Sequence, residues 1–387
     1  MTPWSLAFIA HAVHRRGGQE RAAAEILSRV ATRASVTVIA RTCELDGVDW
    51  MRVGGPTRPS VLSTWAFARA ARAAERRAGC TITNSIGAAA LDADVITAQF
   101  CHAAFTARYG GIRGGTPMGA AYQRLAQAWF VAEERHAYGS RRLRQVIAVS
   151  HGTARELHEH YHVPRERISV VPNGVDHAQF RPPVDAAARR ALRDRLGLPS
   201  SELLALFVGG DWERKGVRDA IGAIGAVPDA QLVIVGRGDR AAMLAHAARA
   251  GAAGRVHVVA PTPAPQDYYA ACDLFLFPSR YEAFSLVTLE AAASGLPIVC
   301  HRINGTEELV IDGVNGWLVP FGPEALSARV MQLRDDAALR ARMAAAALES
   351  SRRYAWDRVA EEYFAVLDAA AGPGGGARVA ATVEGSR

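Results

Sequence analysis

Short runs of β-branched and apolar residues recur along the whole chain, each followed by a longer Ala- and Arg-rich stretch, and this rhythm constrains the fold more than any single residue does. In the front half the runs are "WSLAFIA", "SVTVIA", "CTITN", "DVITAQF" and "QVIAVS"; in the back half they are "LLALFV", "QLVIVG", "RVHVV", "DLFLFPS" and "PIVC". Alternation of this kind predicts parallel strands joined by crossover helices. The expected fold class is therefore α/β, with an open sheet in each half. At 387 residues, 50% of them hydrophobic, the chain is too long for one compact core and apolar enough for two. Between the halves, "ISVVPNGVDHAQFRPP" carries Pro172, Asn173, Gly174, Pro182 and Pro183, which break a helix or a central strand, so the hinge is placed there. The front domain is expected over residues 1–178 and the back domain over 179–353. The amphipathic segment over 354–370 predicts a helix, and the Gly-rich tail over 371–387 is expected to be disordered.

Composition narrows the functional classes. The five cysteines, Cys43, Cys80, Cys101, Cys272 and Cys300, are odd in number, scattered and without a C-x-x-C pair, which argues against a disulfide framework or a zinc site and for a reducing compartment. No stretch reaches the roughly 18 uninterrupted apolar residues that a membrane span needs. "WSLAFIAHAV" lacks a basic leader and a cleavage site, so it reads as a first buried strand and the chain as cytoplasmic. The net charge of +7 is uneven: residues 1–180 hold 22 Arg and 14 acidic residues, net +8, while the remainder holds 23 basic and 24 acidic residues, net −1. The front half could thus face an acidic substrate or an anionic membrane surface; no nucleic-acid partner is expected.

Of the 45 Lys and Arg residues, a single one, Lys215 in "GGDWERKGV", is lysine. It follows the run "LLALFV" and opens a helix expected from about Gly216, the kind of strand-to-helix loop where open α/β sheets bind ligands. A helix start attracts phosphate through its free N–H groups and dipole, and an ammonium there adds a compact point charge beside the planar fork of Arg214. The plain alternative is a solvated basic helix start. A second element, "PSRYEAFSLVTLEAAASGLP", places Glu282 and Glu290 eight residues apart, at the mouth of a helix expected near Phe284 and inside it. The amides of Ala283, Phe284 and Ser285 would then point at an anion, with a carboxylate beside them suited to accept from hydroxyls.

Taken together these residues resemble the retaining glycosyltransferases of the GT-B fold, family 4. The resemblance spans nearly the whole chain: "HRRGGQERAAAEIL", "VIAVSHGTARELHEHYHVPRERISVVPNGVDHAQFRP", "FVGGDWERKGV", "LVIVGRGD", the Glu282–Glu290 element and "HRINGTEELVIDGVNGWLV". It implies two Rossmann-like doubly wound domains facing a deep cleft, with helix 354–370 packing back on the front domain, which would bind the acceptor. It implies that Lys215 and Arg214 hold the pyrophosphate of a nucleotide-sugar donor, most readily a UDP-sugar. Glu290 would bind the ribose, Glu282 the transferred sugar, and the amides of Ala283, Phe284 and Ser285 the sugar-phosphate. Gly17 and Gly18 would let the front-domain backbone approach the donor, and His102 in "QFCHAAF" matches a family histidine beside the reacting sugar. One departure stands out: where many members carry Arg after the glycine matching Gly209, this chain has Gly210, leaving Arg214 as substitute. The implied activity needs no cofactor and no metal, since Arg214, Lys215 and helix amides neutralise the leaving group. "QFCHAAF" and the D-W-x-R-K-G form are similar to lipopolysaccharide-core glucosyltransferases within the family, so a cell-envelope glycan or lipid-linked acceptor is implied.

Rival readings remain beside this one. "VGRGDRA" matches G-x-G-x-x-A after a strand, but a dinucleotide fingerprint wants an acid about 20 residues on, and "RVHVVAPTPAP" has none, which disfavours an NAD-dependent oxidoreductase. A GT-B epimerase or phosphorylase would share the donor pocket, although a phosphorylase needs a lysine for pyridoxal phosphate and the sole lysine is already assigned. His102 taken alone reads as a satisfied buried histidine. Between Arg108 and Arg144, the stripe Tyr122, Leu125, Trp129 and Ala132, ringed by Arg108, Arg113, Arg124, Arg135, Arg141, Arg142 and Arg144, suits a peripheral membrane helix. The alternative expectation, and the favoured one, is a sheet-covering helix with that stripe packed inside.

Overall fold

The computed structural model describes residues 4–109, 117–200 and 202–372. It divides into two compact units, Met1–Asn173 with Trp356–Arg387, and Gly174–Ala355. Arg113 and positions 373–387 of the tail lie outside the described residues.

The first unit is built on seven parallel strands. In chain order its strands are β1 (Ser5–Ile9), β2 (Ala12–Val13), β3 (Ser35–Ala40), β4 (Thr42–Cys43), β5 (Asp49–Arg52), β6 (Ile82–Ile86), β7 (Val95–Ala98), β8 (Gln145–Ala148) and β9 (Ile168–Val170). The sheet runs β5-β3-β1-β6-β7-β8-β9, and β2 pairs separately with β4. The order reverses between β1 and β6, which defines a topological switch point. The helix Trp356–Ala371, one residue past the expected segment at its end and two inside it at its start, belongs to this unit. Its Tyr363 hydroxyl lies 2.6 Å from the Thr97 hydroxyl and donates to Asn84 at 2.9 Å, while Trp4 donates to its Asp368 at 2.7 Å.

The second unit holds β10 (Leu203–Val208), β11 (Ala230–Val235), β12 (Val256–Val259), β13 (Leu274–Phe277), β14 (Ile298–His301) and β15 (Gly316–Val319), all parallel, in the order β12-β11-β10-β13-β14-β15. Its switch point lies between β10 and β13. Both are continuous apolar runs, "LLALFV" and "LFLF", as strands covered on both faces must be. Leu276, Phe207, Ala205 and Leu232 are buried there with Ile221 and Ile224 of the helix Val217–Gly225.

Every run read as a strand in the sequence forms one, so the α/β class stands. In the two large sheets the strands the sequence reading missed, β5, β9 and β15, are all edges, and the short β4, which pairs only with β2, was missed as well. β5, "DWMR", is largely exposed and has no apolar run to betray it. β9 lies inside the stretch read as hinge, pairing Val146, Ile147 and Ala148 of β8 with Ile168, Ser169 and Val170.

Candidate functional site

At the switch point of the second unit, two loops meet. The loop after β10 runs from Gly209 to Gly216 and the loop after β13 from Pro278 to Ser285. Gly216 adopts a left-handed φ of 72°, and a Cβ on it would sit 2.1 Å from the Pro278 carbonyl oxygen, so only glycine lets the two backbones approach this closely. The Arg280 N–H donates to the Arg214 carbonyl at 3.0 Å and locks the pair. Trp212 folds the first loop down, donating from its indole to the Gly209 carbonyl at 2.9 Å. A Cβ at Gly236 would lie 1.8 Å from that same carbonyl, and one at Gly238 would lie 2.0 Å from the Trp212 ring. The glycines of "VGRGDRA" therefore make room for the Lys215 loop, a packing reason for the motif that needs no dinucleotide.

The loops deliver three charged side chains to one point. Lys215 Nζ and Arg214 Nη1 each donate to Glu282 Oε1 at 2.9 Å, and the Ser279 hydroxyl donates to the same oxygen at 3.1 Å. Lys215 and Glu282 are partly buried, with side chains 12% and 13% exposed. The lysine stem runs against Gly209, where a Cβ would fall 2.3 Å from its Cδ, and its ammonium lies 4.9 Å from the Phe277 ring centre. Arg214 spends its other donors on Asp211 Oδ2 (2.9 Å) and the Tyr281 carbonyl (2.5 Å). Burial alone would push the Glu282 carboxyl up, but Lys215 and then Arg214 beside it outweigh that and hold it below the usual carboxylate range. The two cations are met by two carboxylates, Glu282 between them and Asp211 on the outer side of Arg214. A Cβ at Gly210 would meet nothing within 4 Å, so packing does not demand glycine where many family members carry arginine.

The helix expected near Phe284 begins instead at Leu286 and runs to Ala293, with Ser285 as its N-cap. Ala283 and Phe284 thus belong to the loop rather than to the helix mouth. Phe284 is held there by Tyr354, 5.5 Å between ring centres, and by Gly305, whose φ of 78° and missing Cβ admit the Phe284 backbone, 2.8 Å from where that Cβ would stand. Glu290 lies inside the helix, is buried, and accepts from the Tyr269 hydroxyl at 2.7 Å. Ser279 and Tyr269, the donors that orient the two glutamates, were not singled out from the sequence; Ser279, three residues before Glu282, was within reach of it.

The remaining candidates belong to the first unit. Gly17, at φ 85°, and Gly18, the N-cap of the helix Gln19–Val30, are exposed. His102 opens the helix His102–Tyr109, half-buried between the rings of Phe100 and Phe130 at 4.8 and 5.1 Å. Burial depresses its pKa below the ordinary value, more than its Gln127 partner restores. The stripe expected to pack inside lies on the outer side of the helix Pro117–Tyr138: Leu125 is 70% exposed and Tyr122 41%, Ala132 is exposed, and Trp129 is half-buried, donating to Thr64 at 3.3 Å. The buried face is carried instead by Ala126, Gln127, Glu133, Glu134, Ala137 and Tyr138, a polar-containing face that the hydrophobic pattern does not reveal. All five cysteines are free, and no helix among the described residues is long and apolar enough to cross a membrane.

Two Rossmann-like parallel sheets, each with a switch point, are the architecture of the GT-B fold. The fold is shared with the solved structure of WaaG, a glycosyltransferase involved in lipopolysaccharide biosynthesis, at a TM-score of 0.79 and 21% identity, covering 92% of this chain and 98% of that one. It is shared also with Anabaena HepE in complex with UDP and glucose, at a TM-score of 0.74 and 18% identity over 94% of this chain and 99% of that one. The model for Glycosyltransferase Family 4 matches residues 16–179 and that for Glycosyl transferases group 1 matches 188–350. The chain belongs to family 4 of the glycosyltransferases. Among its relatives is a D-inositol 3-phosphate glycosyltransferase of Xylanimonas cellulosilytica, 39% identical over 228 residues, 56% of this chain and 54% of that one. One of Thermobispora bispora is 36% identical over 245 residues, 58% and 56% of the respective chains. The chain thus spans about half the length of the curated relatives it matches.

Proposed function

We propose that this protein is a retaining glycosyltransferase that moves a sugar from a nucleotide-diphosphate sugar, a UDP-sugar, to an anionic cell-envelope glycan or lipid-linked acceptor. The observation that carries the reading is the convergence of Lys215 and Arg214 on Glu282 at the carboxyl ends of β10 and β13. In this reading, a diphosphate takes the two cations that Glu282 holds in place, with Lys215 as the compact charge and Arg214 as the fork. Charge builds on the leaving phosphate in the transition state, so these cations and the amides from Ala283 to Ser285 supply the main stabilisation, without a metal. Glu282, released from part of its ion pair, accepts from hydroxyls of the transferred sugar. Glu290, oriented by Tyr269, accepts from the ribose, and His102 faces the reacting sugar. Gly17 and Gly18 let the backbone come close to the donor. Attack from the face of the departing phosphate needs no protein nucleophile.

The acceptor side is supported by the charge of the front half, net +8 over residues 1–180. A second reading, a small phosphorylated polyol such as D-inositol 3-phosphate, is favoured by the names of the relatives and asks for the same anion-binding surface. The protein in this proposal works in the cytoplasm and rests peripherally on the inner membrane. Met118, Leu125, Tyr122, Leu62 and Trp65 are exposed on two helices joined by the Ser60–Tyr122 and Trp129–Thr64 hydrogen bonds, flanked by arginines such as Arg69 and Arg72. Each basic residue near an anionic surface contributes about 1 kcal/mol. Equal partition onto neutral and anionic liposomes would remove the membrane part.

Thermal-shift titration with UDP-, GDP- and ADP-sugars, followed by NMR assignment of the product's anomeric configuration, tests the whole. Stabilisation by a nucleotide sugar and a product of retained configuration, formed equally with EDTA present, are expected. Stabilisation by NAD alone, inversion, or dependence on magnesium or manganese would each overturn the corresponding part.

A further inference from the structure

The residue before the helix His102–Tyr109, Cys101, sets only a sulfur, a weak acceptor, against the Ala103 and Ala104 amides, and the sequence "FCHAAF" offers none of the Ser, Thr, Asp or Asn side chains that ordinarily satisfy the first amides. Oxygen acceptors come from two other helices. Glu134 Oε2, on Pro117–Tyr138, accepts the His102 N–H at 2.9 Å, and the Tyr161 hydroxyl, at the end of His151–Tyr161, accepts the Ala103 N–H at 3.2 Å. Tyr161 in turn donates its own proton to Glu134 Oε2. Two turns before Glu134 on the same helix, Gln127 Oε1 lies 3.1 Å from His102 Nδ1. With a carbonyl oxygen facing it, Nδ1 carries the ring hydrogen and Nε2 is left as an acceptor.

We propose that Glu134 and Gln127 are positioning residues for His102: Glu134, with Tyr161, anchors the start of its helix, and Gln127 sets its ring tautomer so that Nε2 accepts from a substrate hydroxyl. The inference rests on the reading of His102 as a group at the transferred sugar. Geometry supports it in two ways. Glu134 is 3% exposed, so its carboxylate is buried for this contact, and its charge stands at the positive end of a helix, where it is stabilised. Every element around it brings a titratable group: Glu133 and Tyr138 from its own helix, Tyr161 and Glu156 from His151–Tyr161, and Cys101 and His102 from the junction after β7, with Arg108 pairing Glu156 at 3.3 Å. Burial raises the Glu134 carboxyl to about 7, against the lowering by Tyr161 and the His102 amide and with the repulsion of Glu133 and Glu156. The anchor therefore ionises near neutrality, and the ionised form is the one that accepts both protons at full strength.

The test is 15N NMR of the histidine ring in the full chain, run with steady-state kinetics on the wild type, Glu134→Gln, Glu134→Ala and Gln127→Leu. Expected are an Nδ1–H tautomer for His102 in the wild type, loss of that preference in Gln127→Leu, and a His102 signal that responds to pH near 7 in the wild type but not in Glu134→Gln. Turnover should fall with pH through the same range, and the limb should vanish in Glu134→Gln. Glu134→Ala should lose roughly 10²-fold in kcat with donor KM little changed, as for a misplaced reacting group. Identical His102 ring signals in the wild type, Glu134→Gln and Gln127→Leu would overturn the proposal. If the signals move as expected while His102→Ala keeps wild-type kcat, the positioning stands and the reading of His102 at the sugar is the part that fails.

Discussion

Glu282 in the second unit, partly buried, and Glu134 in the first, buried, are both carboxylates that accept several hydrogen bonds beside candidate chemistry, and their electrostatics run in opposite directions. Glu282 is met by an ammonium and a guanidinium, which hold it ionised below the usual carboxylate range despite its burial. Glu134 is met by a phenol and a backbone amide, with two further carboxylates near, and its burial wins. The difference teaches how each site is assembled. The Glu282 cluster is made by two adjacent strand-end loops, drawn together by glycines and charged by residues inside two short motifs. The Glu134 cluster is made by three helices whose sequences carry no sign of one another.

The largest expected effect falls on the first side of this comparison. Glu282→Ala leaves Lys215 without its ion-pair partner and Arg214 with Asp211 alone, a loss of about 3 kcal/mol, the lower end of the range for a broken buried pair, and should lower kcat by roughly 10²-fold or more. Glu290→Ala, acting on an unreacting part of the donor, should raise donor KM instead. Wild-type kcat in Glu282→Ala with the acceptor saturating would remove its catalytic role; chemical denaturation separates the stability component.

Lys215→Ala should cost about 1.5–3 kcal/mol in diphosphate binding, the range of a charge-assisted contact. Gly209→Ala reaches the same result indirectly, since its Cβ would fall on the lysine stem 2.3 Å from Cδ. Calorimetry with UDP giving unchanged affinity in Lys215→Ala would sink the assignment; unchanged affinity in Gly209→Ala alone would show that the stem can shift.

A smaller effect is expected at Gly238, where a Cβ would meet the Trp212 ring at 2.0 Å. Gly238→Ala should destabilise by about 1–3 kcal/mol, as overpacking does, and Trp212→Ala in the same chain should relieve it. A Gly238→Ala protein with wild-type thermal stability would mean that the glycine serves something other than the Lys215 loop.

The smallest expected effect sharpens the contrast between the two carboxylates. Glu134 has its folded pKa raised from 4.5 to about 7, so its contribution to stability is present below the unfolded value and lost as pH rises through about 7. Glu282, with a depressed folded pKa, contributes stability above the unfolded value and loses it as pH falls through the folded one. Relative to Glu134→Gln, the wild type should therefore lose on the order of 1–2 kcal/mol between pH 6 and pH 8, at about 1.4 kcal/mol per pKa unit. Parallel urea-unfolding curves for the two proteins across that range would refute the assignment.

Much of the second site was legible because its parts are local. The sole lysine, the neighbouring arginine and the two glutamates fall in loops whose place after β10 and β13 follows from apolar runs, and parallel topology sends both loops to the same edge of the sheet. The helix start was misplaced from Leu286 to Phe284 because Phe284 continues the apolar pattern while its backbone is claimed by Gly305 and Tyr354. The stripe Tyr122, Leu125, Trp129 and Ala132 was expected inside for a related reason: apolar periodicity marks a face of a helix without saying which face the rest of the chain needs. The opposite face carries Gln127, Glu133 and Glu134, whose partners lie on other helices.

From its sequence alone this chain determines two parallel α/β units, because strand and helix periods are written residue by residue, and it determines the chemical kinds present at the donor-side loops. Tertiary structure alone decided that Arg214, Lys215 and Ser279 share one oxygen of Glu282, that the "GRG" glycines serve Trp212, and that the helix of His102 is capped from two distant helices. Such facts depend on distances between segments far apart in the chain, and a hydrogen bond or a buried charge is set by a few tenths of an ångström that no periodicity encodes.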